Sequence, residues 1–285
     1  MDEPPKGAVR LTVPGSDTRL AAVIGFPVRH SLSPAMHNAA FGELGLDWVY
    51  VAFEVAPGGV EAAFAGVRAL GFGGLSVTIP HKSAALEAVD EVSDAARAVG
   101  AVNTVVPTAG GRLRGDNTDG AGFLAALTDE GFDPTGRICA VLGAGGAARA
   151  AVHALAGAGA AEVAVINRTP ARAETTAALA GATGRVGSPA DVVHADLVVN
   201  ATPLGLAGSQ ELPIDPELLR EGQLVVDLVP NPAVTPLMRA ARERGAGVAG
   251  GLGMLVHQGA LAFELWTGRP APVGVMRDAA VRALG

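Results

Sequence analysis

The stretch Ile138-Cys139-Ala140-Val141-Leu142-Gly143-Ala144-Gly145-Gly146-Ala147-Ala148 decides the fold. Five apolar residues without alternation read as a strand covered on both faces, as in a parallel sheet. The glycines permit a tight turn, and the alanine-rich run beyond it reads as a helix. Unpaired N–H groups and the dipole at such a helix start attract a pyrophosphate. The GxGxxA spacing therefore reads as a dinucleotide loop through Gly143, Gly145, Gly146 and Ala147. A glycine string is a weak signal in a chain with 39 glycines. Its weight comes from the strand before it and the helix after it.

The next apolar run, Glu162–Ile166, ends at Asn167-Arg168-Thr169, with Arg172 close behind. An NAD-preferring site would place an acidic residue there for the ribose 2′-hydroxyl. Two guanidinium groups and a hydroxyl suit a 2′-phosphate instead, so the expected cofactor is NADP. The plain alternative, two solvated arginines at a helix start, is mildly unfavourable because of the helix dipole. Further strands are expected at Asp196–Val199, Leu224–Asp227 and Gly247–Ala249. Helices are expected at Ala147–Ala156, Pro170–Ala180 and Thr235–Arg244.

The same alternation runs ahead of the loop. Apolar runs at Ala21–Gly25, Trp48–Phe53, Leu75–Ile79 and Val102–Val106 alternate with helical spacing at Ser33–Leu44, Gly59–Leu70 and Ser83–Val99. This predicts a second α/β block with a mainly parallel sheet. Ser33 reads as a helix cap, with Pro34 in the first turn. Met254–Trp266 and Val273–Leu284 are helical with no strand to follow, and are expected to fold back on the first block.

Length and composition set the outer bounds. A chain of 285 residues carries a prior of about two domains. Hydrophobic residues make up 49% and charged residues 17%, which excludes a disordered chain. The formal charge of −7 argues against nucleic acid or an anionic membrane as the main partner. One cysteine, Cys139, allows neither an internal disulfide nor a cysteine zinc cage, in keeping with a cytoplasmic protein. No metal site is expected. The only tyrosine, Tyr50, is followed four residues later by Glu54, which excludes a Tyr-x-x-x-Lys mechanism.

The chemistry must then come mostly from polar clusters at strand ends, where open α/β sheets bind ligands. In His30-Ser31-Leu32-Ser33-Pro34 two hydroxyls could grip a carboxylate or a polyol. Ser76-Val77-Thr78-Ile79-Pro80-His81-Lys82 brings one of only two lysines to a strand end, where its proton is tunable. Gly100-Ala101-Val102-Asn103-Thr104 adds an amide. Gly115-Asp116-Asn117-Thr118-Asp119-Gly120 adds two carboxylates, although Asn117 and Asp119 serve equally well as a cap and turn before a helix.

Together these strings, in this order, resemble the shikimate dehydrogenase family: HSLSP, VTIPHK, GAVNT, GDNTDG, GAGGAAR, NRT, NATPLG and GLGMLVHQ. The resemblance runs from about Ala21 to the C-terminus. It implies reduction of 3-dehydroshikimate to shikimate with NADPH in aromatic biosynthesis. By that resemblance Ser31 and Ser33 bind the substrate carboxylate with Thr78 nearby. Lys82 and Asp119 form the acid/base pair, and Asn103 and Gln258 hold ring hydroxyls. Asp116 reads as a loop residue. Two departures stand out: Ser76 replaces the family's usual Asn, and Pro230 stands where a tyrosine commonly reaches the substrate. They leave open a paralogue acting on quinate or aminoshikimate, and a catalytically silent sensor is a more distant alternative.

The expected architecture is an α/β substrate domain over 19–118 plus 255–285, a Rossmann-type doubly wound NADP domain over 119–254, and a leader over 1–18. The acid/base pair and the nucleotide loop are expected to share one groove. A monomer or homodimer acting on a small molecule is the expected form.

Overall fold

A computed structural model describes residues 13–284. Most of the expected leader lies outside the described residues. In chain order the elements are β1 (Arg19–Gly25), α1 (Ser33–Glu43), β2 (Trp48–Glu54), α2 (Val60–Ala69), β3 (Gly74–Val77), α3 (Lys82–Ala88), β4 (Glu91–Val92), α4 (Asp94–Val99), β5 (Thr104–Pro107), β6 (Leu113–Asp116) and α5 (Asp119–Asp129). There follow β7 (Ile138–Leu142), α6 (Gly146–Gly157), β8 (Glu162–Ile166), α7 (Pro170–Ala177), β9 (Gly184–Val186), β10 (Leu197–Asn200), β11 (Leu224–Asp227), α8 (Pro236–Glu243), β12 (Gly247–Gly250), α9 (Leu252–Thr267) and α10 (Val273–Leu284).

The chain forms two compact units. One runs through Thr118 and resumes from Gly259 to Ala283; the other is Asp119–Gln258. The second crossing falls inside α9, a continuous helix, four residues beyond the expected 254/255 boundary, so nothing in the local sequence marks it.

The first unit holds a six-stranded sheet in the order β2-β1-β3-β5-β6-β4. It is mainly parallel, as expected, with one reversed strand: β5 runs antiparallel to both β3 and β6, so the other five strands share one direction. The single helix expected over Ser83–Val99 is two helices separated by β4. Val89 is extended, Asp90 exchanges backbone and side-chain hydrogen bonds with Leu113, and Ser93 caps α4 by accepting from Ala96 N–H at 3.2 Å. A two-residue strand carries no hydrophobic period, so pattern alone cannot show it. One core of this unit packs Ile24, Phe64, Leu75, Val77, Val102 and Leu113. Trp266 of α9 donates its indole N–H to Val105 O at 3.1 Å and lies so close over Gly74 that a Cβ there would strike the ring.

The second unit holds a six-stranded sheet, β12-β11-β10-β7-β8-β9, with every pairing parallel. This is the doubly wound order, with the chain reversing at β7/β10, the switch point where such sheets bind nucleotides. Its four inner strands are valine-rich and largely covered, with Val141, Val163, Val165, Leu197, Val199 and Val225 at 0% exposure, while the edge strands β9 and β12 are partly exposed. Helix α7 stops three residues before the expected Ala180, passing into a 3-10 turn over Ala178–Thr183 in which Gly181 takes φ +57°. No helix among the described residues is long and apolar enough to cross a membrane.

Candidate active site

The turn after β1 carries the two expected serines, in exchanged roles. Ser33 does not cap α1; it is the first helical residue, and Ser31 Oγ accepts the Ser33 N–H at 3.3 Å. Ser31 is therefore bound into the helix start, while the buried Ser33 keeps its hydroxyl for other partners. One of these is the Tyr50 hydroxyl.

Tyr50, which sequence reasoning used only to exclude a mechanism, is central to this cluster. Its hydroxyl donates to Ser76 Oγ at 2.8 Å. Its ring stacks on His37 with centroids 4.4 Å apart and planes 12° apart. Burial pushes the phenol far above its ordinary range, so it stays a donor. His37 is pushed down to about 3 by burial among Tyr50, Phe41, Phe263 and Trp266, so it is neutral. Its Nδ1 has no hydrogen-bond partner among the described residues. The signal that could have found Tyr50 is its place in Trp48–Glu54, beside the strand that leads to Ser31.

Thr78 follows β3 and donates its N–H to Ile24 O at 2.9 Å, which brings the ends of β1 and β3 together. The approach requires glycine at Gly25, where a Cβ would come within 2.5 Å of Thr78 Cγ2. Lys82 is the first residue of α3, partly exposed, with its carbonyl accepting from Val102 N–H at 2.9 Å. The neighbouring His81 is buried and its Nε2 meets Val55 O at 2.7 Å, so it serves the loop rather than a ligand.

Asn103 is buried and its side chain organises the end of β6. Its Nδ2 donates to Thr118 Oγ1 at 3.0 Å, and its Oδ1 accepts from Thr118 N–H and Thr104 Oγ1, both at 2.9 Å. Asn117 Nδ2 donates to Ala101 O at 2.9 Å, which makes it a brace for the same loop. Asp116 is the last residue of β6 rather than a loop residue, and it accepts from Ser93 Oγ, Arg114 and Asn117 N–H. Asp119, one peptide bond beyond Thr118, is buried and opens α5, where a carboxylate suits the helix dipole.

In the second unit the glycine loop has the shape a pyrophosphate requires. Gly143 takes φ +111°, and a Cβ there would lie 3.0 Å from Ala201 O. Gly145 precedes α6 with open space where its Cβ would stand, and no side chain among the described residues caps the helix start. Gly146 and Ala147 form the first helical turn, whose N–H groups can hold an anion. Asn167 Nδ2 donates to Thr169 O at 3.0 Å, closing the turn after β8, and Arg168, Thr169 and Arg172 are exposed around it. These residues fit a phosphorylated dinucleotide. Gln258 is partly buried on α9, where its Nε2 donates to Leu255 O at 2.8 Å. Its backbone packs on Gly122 so closely that a Cβ there would lie 2.6 Å from Gln258 N. Among the described residues no group of three or more His, Cys, Asp or Glu is placed to hold a metal ion.

Comparison with known proteins matches three family models to this chain: the shikimate dehydrogenase substrate binding domain over residues 23–105, the saccharopine dehydrogenase NADP binding domain over 139–249, and the shikimate 5′-dehydrogenase C-terminal domain over 251–281. A shikimate dehydrogenase (NADP(+)) of Moorella thermoacetica is 50% identical over 281 residues, covering 95% of each chain. The crystal structure of a shikimate 5-dehydrogenase from Thermus thermophilus in complex with NADP(H) and shikimate is 44% identical. It superposes with a TM-score of 0.89, covering 94% of this chain and 100% of that one. A quinate dehydrogenase from Corynebacterium glutamicum in complex with NAD is also similar, at 32% identity and a TM-score of 0.87 over 93% of this chain and 99% of that one.

Proposed function

This chain belongs to the shikimate dehydrogenase family, and on that premise we propose that it reduces 3-dehydroshikimate to shikimate with NADPH. The observation that carries the reading is the 50% identity to an NADP-dependent relative over 95% of the chain.

Bound NADPH supplies a hydride to the carbonyl carbon. Lys82, at the first turn of α3, gives its ammonium proton to the carbonyl oxygen, which becomes the new hydroxyl. Asp119 orients that ammonium and holds the neighbouring hydroxyl. Ser31, Ser33 and Thr78, on the turns after β1 and β3, grip the carboxylate with neutral donors. Asn103 and Gln258 hold the remaining ring hydroxyls. In the second unit the Gly143–Ala147 loop cradles the pyrophosphate. Asn167, Arg168, Thr169 and Arg172 hold the 2′-phosphate, for which a planar guanidinium is suited. The protein works in the cytoplasm, as a monomer or a homodimer.

Two residues bear on the choice of ring. Ser76 is shorter than the family's usual Asn, and its hydroxyl is already engaged by Tyr50. Pro230 offers no side-chain donor where the family commonly has a tyrosine. Both leave room for a bulkier polyol such as quinate. A steady-state assay of shikimate and quinate oxidation, each with NADP and NAD, tests the proposal. Shikimate with NADP should give the highest kcat/KM, and a higher value for quinate with NAD would overturn it.

A further inference from the structure

Sheet order leaves β2 at an edge, with β1 as its only neighbour among the described residues. Arg19 N–H donates to Asp47 O and Val55 N–H donates to Gly25 O at the two ends of the ladder. In the register Arg19↔Trp48 to Gly25↔Glu54, these bonds put the odd-numbered backbone groups of β2 toward β1. The N–H and C=O of Tyr50 therefore point away from the sheet. Asn38 of α1 meets both. Its Nδ2 donates to Tyr50 O at 2.8 Å, and its Oδ1 accepts from Tyr50 N–H at 2.8 Å. One side-chain amide thus takes the place of the missing strand at a single residue.

That residue is the one whose phenol is tied to Ser76 and lies beside Ser33. A phenol hydroxyl several bonds from its Cα holds its place only if backbone and ring are both fixed. Asn38 fixes the backbone, and its neighbour His37 supports the ring face. We propose that Asn38 is a positioning residue of the substrate site, holding Tyr50 so that its hydroxyl sets the rotamers of Ser33 and Ser76. The proposal rests on the functional reading above. A role confined to shielding the sheet edge would use the same two hydrogen bonds but would leave substrate affinity unchanged.

Tyr50 is the single tyrosine of the chain, so [13Cζ]tyrosine labelling gives one resonance that reports on it alone. The test combines that signal with steady-state kinetics for Asn38→Ala and the milder Asn38→Asp. The aspartate keeps the acceptor for Tyr50 N–H and turns a second acceptor toward Tyr50 O. Tyr50→Phe serves as a third variant that leaves Asn38 intact. The KM for shikimate should rise about tenfold in all three, while the KM for NADP stays within about twofold. The Tyr50 resonance should shift or broaden in the Asn38 variants. Adding Tyr50→Phe to Asn38→Asp should raise the shikimate KM by less than about twofold more, because both act through one hydroxyl. An active wild type with Asn38→Asp unchanged in shikimate KM overturns the inference, as does a Tyr50→Phe variant indistinguishable from wild type if the Asn38 variants do not fold. A wild type that does not oxidise shikimate overturns the functional reading instead.

Discussion

Thr235 donates its hydroxyl hydrogen to Asp227 at 2.6 Å, and the same carboxylate accepts from Asn200 Nδ2 at 2.9 Å and Val229 N–H at 3.1 Å. Asn200 in turn accepts from Thr202 N–H and Oγ1, so one buried carboxylate ties together the loops after β10 and β11. Burial pushes the Asp227 carboxyl up, against the effect of its three donors. Asp227→Ala would leave those donors without an acceptor. Since each unsatisfied buried group costs about 1–3 kcal/mol, the loss in urea unfolding should exceed about 3 kcal/mol. A loss below about 1 kcal/mol would show that the loops do not depend on this carboxylate.

His37 gives a pH test. Its folded pKa of about 3 lies below the unfolded value of about 6.5. The unfolded chain therefore binds the proton first as pH falls. The contribution of neutral His37 is complete above about pH 6.5 and is lost progressively toward about pH 3. Relative to His37→Phe, wild type should lose about 2 kcal/mol between pH 7 and pH 5 in urea unfolding. A difference that does not change with pH would mean that His37 titrates normally in the folded protein.

For the cofactor, Arg168→Ala should raise the NADP KM far more than the NAD KM. A hydrogen bond to a charged group contributes about 1.5–3 kcal/mol, and only NADP carries the 2′-phosphate that would lose it. Kinetics with both cofactors decide the matter. Equal rises would place Arg168 outside the phosphate site.

What the sequence shows and what it hides divide along physical lines. Five strands of the second unit are legible as short apolar runs, whereas the edge strand β9, Gly184-Arg185-Val186, is too short, polar and exposed to show a pattern. The loop is legible because Gly143 must adopt a positive φ and leave room near Ala201. Lys82 could be singled out as one of two lysines, close behind an apolar run, whereas Asn103 and Asp119 drew their roles from the ordered family strings, since Asp119 served equally well as a cap and turn. β4 could not be seen, since two residues have no period. The exchange of roles between Ser31 and Ser33 depends on which residue begins α1, a boundary that patterning fixes only to within a residue or two. Tyr50 sits in an ordinary strand pattern, and its importance comes from Asn38, Ser33 and Ser76, which long-range folding brings to it.

Asp119→Asn should lower kcat about as much as loss of the lysine, or somewhat less, because the carboxylate orients the ammonium and binds a hydroxyl. The double variant with Lys82→Ala should fall little further than the worse single one, as for groups that act as a unit. Losses that multiply in full would mean that the two residues act independently.

The most direct test of the account is the kcat of Lys82→Ala with shikimate and NADP. A proton donor acts in the transition state, so kcat should fall by about 10²–10⁴-fold while the shikimate KM moves much less. A kcat within a few-fold of wild type would contradict the assignment of the proton to Lys82.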